Sequence, residues 1–171
     1  MNKKRIIQFS SVILIVIALG LMYYIKNKND NFGEASANFE TPLVITEINM
    51  EEIESSEIPV MLDFGAEECG PCQQMKPALE SVNEKMQGKA VVQYIDAWEY
   101  PEQTADFPIQ VVPTQVFYLP GGKPYVPSED IQIYFKMYAL SDTGEHVLTV
   151  HEGILTEEEM LMILEDMGVE Q

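Results

Sequence analysis

The apolar positions of this chain fall into short runs with two different periods, and the order of those periods outlines an architecture. Leu43 to Ile48 alternates and is rich in β-branched residues, which predicts a first strand. Asn49, with Glu52 three residues on, has the form of a helix N-terminus, and the short helix it opens must stop by Pro59. Pro59 to Phe64 is nearly continuous in apolar character and predicts a buried central strand. From Pro71 to Gln87 the period changes. Met75, Leu79, Val82 and Met86 form one helical stripe, and Gly88 closes it. Ala90 to Ile95 predicts another strand, ending at Asp96, and a short helix is expected over about Glu99 to Asp106. Pro113 then opens an alternating strand, Thr114 to Leu119. A strand near Glu145 to Val150 and a helix from Glu157 to Met167, capped by Thr156 with Glu159, complete the series. Strands alternate with helices first and gather towards the end. That order predicts an α/β fold, a central mixed sheet flanked by helices on both faces.

A different pattern precedes these elements. Ile6 to Ile25 is twenty residues without a charge, preceded by Lys3-Lys4-Arg5. As a helix it spans about 30 Å, the thickness of a bilayer's hydrocarbon core. Basic residues ahead of such a span favour keeping that end in the cytoplasm. The expected organisation is therefore a cytoplasmic N-terminus at 1–5, a transmembrane signal anchor at 6–25, a polar linker at 26–39 and one domain at 40–171. Ala35-Ser36-Ala37 has the form of a signal-peptidase site, but it lies well past the apolar run, across Lys26, Lys28 and Asp30. An uncleaved single-pass anchor, with the domain outside the cytoplasm at the cell membrane, fits better. No cysteine follows the apolar run, so a lipid-modified terminus is not expected.

Charge narrows the range of partners. The chain carries 28 Asp and Glu against 10 Lys and Arg, for a net charge of −18. From Glu40 onward there are five lysines and no arginine. Such a surface argues against nucleic acid or anionic head groups as ligands. Its plainest meaning is a well-solvated face.

The chemistry sits in Cys69-Gly70-Pro71-Cys72, which holds the only two cysteines. They follow the buried strand and open the helical stripe. A cysteine at a helix N-terminus faces unpaired N–H groups and the positive end of the helix dipole, which favours its thiolate. Other readings weigh less. A structural disulfide closing so short a ring contributes little stability. A zinc site needs more ligands, and His146 and His151 lie far along the chain with an offset of five, which on one strand points them to opposite faces. No metal is expected, and a redox pair is the favoured reading.

The run Val60-Met61-Leu62-Asp63-Phe64-Gly65-Ala66-Glu67-Glu68-Cys69-Gly70-Pro71-Cys72 resembles the thioredoxin active-site segment. Pro77, Val112-Pro113-Thr114 and Gly153 resemble further family positions, so the likeness extends over about Leu43 to Met167. It implies a thioredoxin fold and a thiol–disulfide oxidoreductase that needs no cofactor beyond its own redox-active disulfide. It also implies roles. Cys69 is the exposed attacking thiol, Cys72 resolves the mixed disulfide, and Asp63 handles the proton of Cys72. A cis Pro113, with Val112 and Thr114, presents backbone to an extended substrate. Gly70 and Pro71 hold the two cysteines and resemble the reducing members of the family.

Several positions depart from the family. Glu68 and Gly65 stand where aromatics are common, and Val92 replaces a lysine that often partners the buried acid. Between Leu119 and Glu145 an insertion around 120–144 replaces a tight hairpin; it is expected to add a β element covering the sheet edge, or alternatively to dock a partner. The function implied is reduction of disulfides in exported proteins of a prokaryote, with apocytochromes as one candidate class. Electrons would come from a transmembrane thiol carrier of the cytochrome-c-biogenesis type. A disulfide-forming oxidase or isomerase is the alternative, and a non-catalytic tethered binding module the next.

Overall fold

In the computed structural model the described residues are 40–170. The expected cytoplasmic N-terminus, anchor and linker all lie outside them, and no helix among the described residues is long and apolar enough to cross a membrane. The centre of the fold is β1 (Val60–Gly65), buried along its whole length as its unbroken apolar run predicts. It pairs in parallel with β2 (Val91–Asp96) and antiparallel with β3 (Thr114–Leu119). Next to β3 runs β6 (His146–Glu152), and outside that β5 (Lys136–Ala139), both pairs antiparallel. The order is β2-β1-β3-β6-β5, with the two-residue β4 (Lys123–Pro124) paired to β3. Among the named strands of the described residues only the β1–β2 pair is parallel, and its crossover is the long helix α2 (Gly70–Lys85).

Strand periodicity sorts the core into two layers. Met61, Val92 and Phe117 point to one face, where they meet Met75, Leu79 and Val82 of α2 and Met160, Ile163 and Leu164 of α3 (Glu157–Asp166). Val60, Leu62, Phe64, Val116 and Val150 point to the other face, against Ile53 of α1 (Met50–Ser55). Asp63 and Gln115 are buried polar residues of the first face, directly opposite each other in the β1–β3 register. The helix starts follow their caps. Asn49 Oδ1 accepts from the amides of Glu51 and Glu52, and Thr156 with Glu159 forms a reciprocal capping box.

Three expectations change. The predicted first strand is a single parallel bridge, Val44 to Tyr94, held by two ladder hydrogen bonds. It flanks the outer edge of β2, where a segment has a partner on one side only. The helix expected over Glu99 to Asp106 is a 3₁₀ turn at Pro101–Gln103. Asp96 explains the turn before it by accepting from the amides of Trp98 and Glu99, and Pro108 disfavours helical backbone at Phe107. The alternation expected in Thr114–Leu119 is absent, because both faces of β3 are covered and its first five residues are buried. That second face is closed by α1 and by irregular chain carrying Phe107 and Ile109, rather than by a further full helix.

The insertion does add β5 at the sheet edge, but it does more than cover it. Tyr125 is 1 % exposed and sinks into the core beside Phe117 and Phe135, with ring centroids 5.6–6.0 Å apart. Its hydroxyl donates to Asp166 of α3.

Candidate active site

Cys69 is the N-cap of α2, and the geometry expected from its position is present: the Cys72 amide donates to Cys69 Sγ at 3.2 Å. The two residues are joined as a disulfide with their Cα atoms 5.2 Å apart. In this oxidised state accessibility does not distinguish them, since Cys69 is 7 % and Cys72 6 % exposed. Cys69 is therefore not the protruding residue that its place at the helix tip suggests. Gly70 and Pro71 form the first turn of α2, where a missing proline N–H costs nothing. A Cβ on Gly70 would meet open space, so this glycine is not demanded by sterics. The helix continues through Pro77 to Lys85.

The Val112–Pro113 peptide bond is cis. Val112 lies just before β3, outside the ladder, and its carbonyl oxygen stands 3.6 Å from Cys69 Sγ. Thr114 is fully buried, with its hydroxyl donating to the Val111 carbonyl at 2.7 Å. On the other side the Gly153 amide donates to the Pro113 carbonyl at 2.9 Å. The segment before β3 is thus pinned between the dithiol and the end of β6.

Asp63 comes from the middle of β1 and is 1 % exposed. Burial pushes its carboxyl up to about 7, against which a hydrogen bond from Gln115 acts in part. Asp63 and Cys72 line one cavity of about 380 Å³, together with Lys76 and Tyr94. Val92, at the position where a lysine partner is common, is instead packed in the core. Lys76 of α2 is the cation in that cavity wall. His146 and His151 do not come together; His146 Nε2 lies 2.8 Å from Thr149 Oγ1, while His151 Nδ1 lies 2.9 Å from the Tyr134 carbonyl. No cluster of metal-ligating side chains occurs among the described residues.

Three site residues were not anticipated. The Tyr94 ring covers Gly65 so closely that a Cβ there would sit 2.4 Å from its Cε2. The neighbouring strand thus supplies the aromatic that residue 65 lacks, and burial raises its hydroxyl to about 12, with the Asp96, Asp63 and Glu67 carboxylates adding to the shift. Asp96 ties down the loop before the cysteines by accepting from the Glu67 amide at 2.7 Å. Partial burial works to raise its pKa, but the amides of Glu99, Glu67 and Trp98 outweigh that and hold it below the usual range. Gln115 is the third, and an amide directly before the apolar stretch Val116-Phe117-Tyr118-Leu119, in the same strand, is a signal the sequence did carry.

Residues 41–132 match the family model for thioredoxin. The chain belongs to the thioredoxin family. Thioredoxin of Alicyclobacillus acidocaldarius subsp. acidocaldarius is 33 % identical over 96 residues, which are 53 % of this chain and 90 % of that protein. Thioredoxin Y of rice chloroplasts (Oryza sativa subsp. japonica) is 42 % identical over 74 residues, 43 % of this chain and 44 % of that protein. Among solved structures, chloroplastic thioredoxin z aligns with a TM-score of 0.52 at 25 % identity, covering 73 % of this chain and 92 % of that one. A point-mutant thioredoxin of Halobacterium salinarum NRC-1 shares the fold, with a TM-score of 0.53 at 24 % identity, over 79 % of this chain and 96 % of that one. Family membership and the Cys69–Cys72 pair together make this chain a thiol–disulfide oxidoreductase.

Proposed function

We propose that this protein reduces disulfides of exported proteins from a membrane anchor, through a mixed disulfide on Cys69. The observation that carries the chemistry is the shared cavity of Cys72 and Asp63 behind a cysteine that caps a helix. In the dithiol form the Cys69 thiolate, favoured by the Cys72 amide and the helix dipole, attacks one sulfur of a substrate disulfide and expels the other as a thiolate. Cys72 then gives its proton to the Asp63 carboxylate. The resulting thiolate attacks Cys69 Sγ, closes the Cys69–Cys72 disulfide and releases the second substrate thiolate. Two electrons pass to the substrate, and its two sulfurs leave as thiols after protonation.

Val112, Pro113 and Thr114 are the residues proposed to receive the substrate backbone, with the Val112 peptide left outside the sheet to pair with an extended strand. Trp98 and Val111, 60 % and 51 % exposed, supply apolar surface on loops tied to the same region. The reductive direction is supported by Gly70-Pro71. The placement outside the cytoplasm is supported by the uncharged run from Ile6 to Ile25 behind Lys3-Lys4-Arg5. Electrons would then be supplied across the membrane by a thiol carrier, of the kind that serves cytochrome c biogenesis.

The test is the reduction potential of the Cys69/Cys72 pair in the full-length chain, equilibrated with dithiol buffers. A value near or below about −250 mV is expected of a reductant. A value above about −150 mV would reverse the assignment in favour of disulfide formation. Insulin reduction lost in Cys69→Ser is the matching activity result.

A further inference from the structure

Gln115 faces Asp63 across the β1–β3 ladder and has no solvent exposure. Its Nε2 donates to Asp63 Oδ1 at 2.8 Å and to the Gly153 carbonyl at 3.3 Å, and lies 3.6 Å from Met75 Sδ. Its Oε1 is buried with no partner among the described residues. Turning the amide over would set Oε1 against the Gly153 carbonyl and, once Asp63 is ionised, against its carboxylate as well, so the nitrogen belongs where it is. An orphaned buried acceptor costs about 1–3 kcal/mol. A leucine or methionine at this core position would avoid that cost, so packing does not account for the amide.

We propose that Gln115 is a positioning residue for proton transfer: its amide, anchored on the Gly153 carbonyl, holds Asp63 Oδ1 as an acceptor and leaves Oδ2 to take and return the proton of Cys72. This rests on the reading of Asp63 as the base for Cys72. An N–H directed at Oδ1 favours that oxygen as the carbonyl acceptor of the neutral acid, so the hydrogen is carried on Oδ2. The same hydrogen bond favours the carboxylate over the acid. The other titratable groups in the walls of the cavity that Asp63 lines are Cys72 and Lys76 from α2, Tyr94 and Asp96 from β2, Glu67 from the loop before α2, and Glu99 and Tyr100 from the turn after β2. On the far side, His151 of β6 pairs with Gln115 itself. The segments Leu43 to Thr46 and Gly153 to Leu155 contribute none. A substitution at Gln115 leaves all of these in place.

The experiment uses the reduced full-length chain with 5,5′-dithiobis(2-nitrobenzoate) as the disulfide probe. The second thiolate released reports attack by Cys72, and its rate is followed against pH. In parallel the Asp63 carboxyl is titrated by infrared difference spectroscopy, with Asp63→Asn identifying the band. Gln115→Met removes the donor at nearly constant volume, and Gln115→Asn keeps an amide but withdraws it by one methylene. In both variants the Asp63 titration and the pH limb of second release are expected to move up by about one pH unit, since a charged hydrogen bond is lost. A folded Gln115→Met with the wild-type titration and profile overturns the proposal, and if that variant does not fold, Gln115→Asn decides in the same way. An unchanged second-release profile in Asp63→Asn overturns the underlying reading of Asp63, and the role of Gln115 with it. A changed profile in Asp63→Asn beside an unchanged one in the Gln115 variants removes Gln115 alone.

Discussion

Asp63 sets the pH response of this protein, because a carboxyl enclosed in the sheet core keeps its proton until about pH 7, whereas its ordinary value is 3.8. A pKa raised on folding means that the contribution of the group is fully present below about pH 4. It is lost as pH rises through about 7 and stays level beyond. Asp63→Asn removes that loss. Denaturant unfolding is expected to show a gain of up to about 4 kcal/mol at pH 8 and almost none at pH 4. A gain of equal size at both pH values would mean that titration of Asp63 is not its source. Gly65 makes a second, purely steric case. Gly65→Ala pushes a methyl into the Tyr94 ring and is expected to cost about 1–3 kcal/mol. In a Tyr94→Ala background the same change should cost far less, and a double-mutant cycle measures that coupling.

The insertion between β3 and β6 behaves as part of the core rather than as an appendage. Tyr125 is buried among Phe117 and Phe135 and reaches Asp166 of α3, while Lys136 of β5 pairs with Glu152 of β6. Tyr125→Ala is expected to lower stability by about 3–5 kcal/mol, the range of other buried aromatics. Tyr134, nearby but 75 % exposed, should change it by less than about 0.5 kcal/mol when cut to alanine. Equal effects at the two positions would show that the insertion is not packed as described. Thermal or denaturant melts of the two variants make the comparison. The exposed side of the insertion, with Tyr134, Met137 and Leu140, is where its expected alternative role in docking would have to be sought.

Over the molecule as a whole, a net charge of −18 opposes compaction through self-repulsion. Screening reaches about 10 Å at 0.1 M salt and about 3 Å at 1 M. The melting temperature is therefore expected to rise as sodium chloride is raised from near zero to about 0.5 M. A fall over that range would mean that the few ion pairs, such as Lys85–Glu157, outweigh the repulsion.

The central strand, the long helix with its Met75-Leu79-Val82-Met86 stripe, both helix caps and the cysteine pair were legible in the chain because each rests on local information. A run of apolar residues, a period, or a capping side chain acts within a turn or two of itself. The same information misjudged Leu43 to Ile48 and Glu99 to Asp106. Strand and helix propensity there meet an edge with one partner, a carboxylate that holds a turn, and a proline that follows. Register is what sets Gln115 opposite Asp63, lays Tyr94 over Gly65 and opens one cavity to both Asp63 and Cys72. Two of these contacts, Gly65 with Tyr94 and Asp63 with Gln115, join residues far apart in the chain, and no local pattern encodes which side chain will face which. The chain states that a dithiol is present and where it sits on its helix. The packed sheet decides which groups surround its proton.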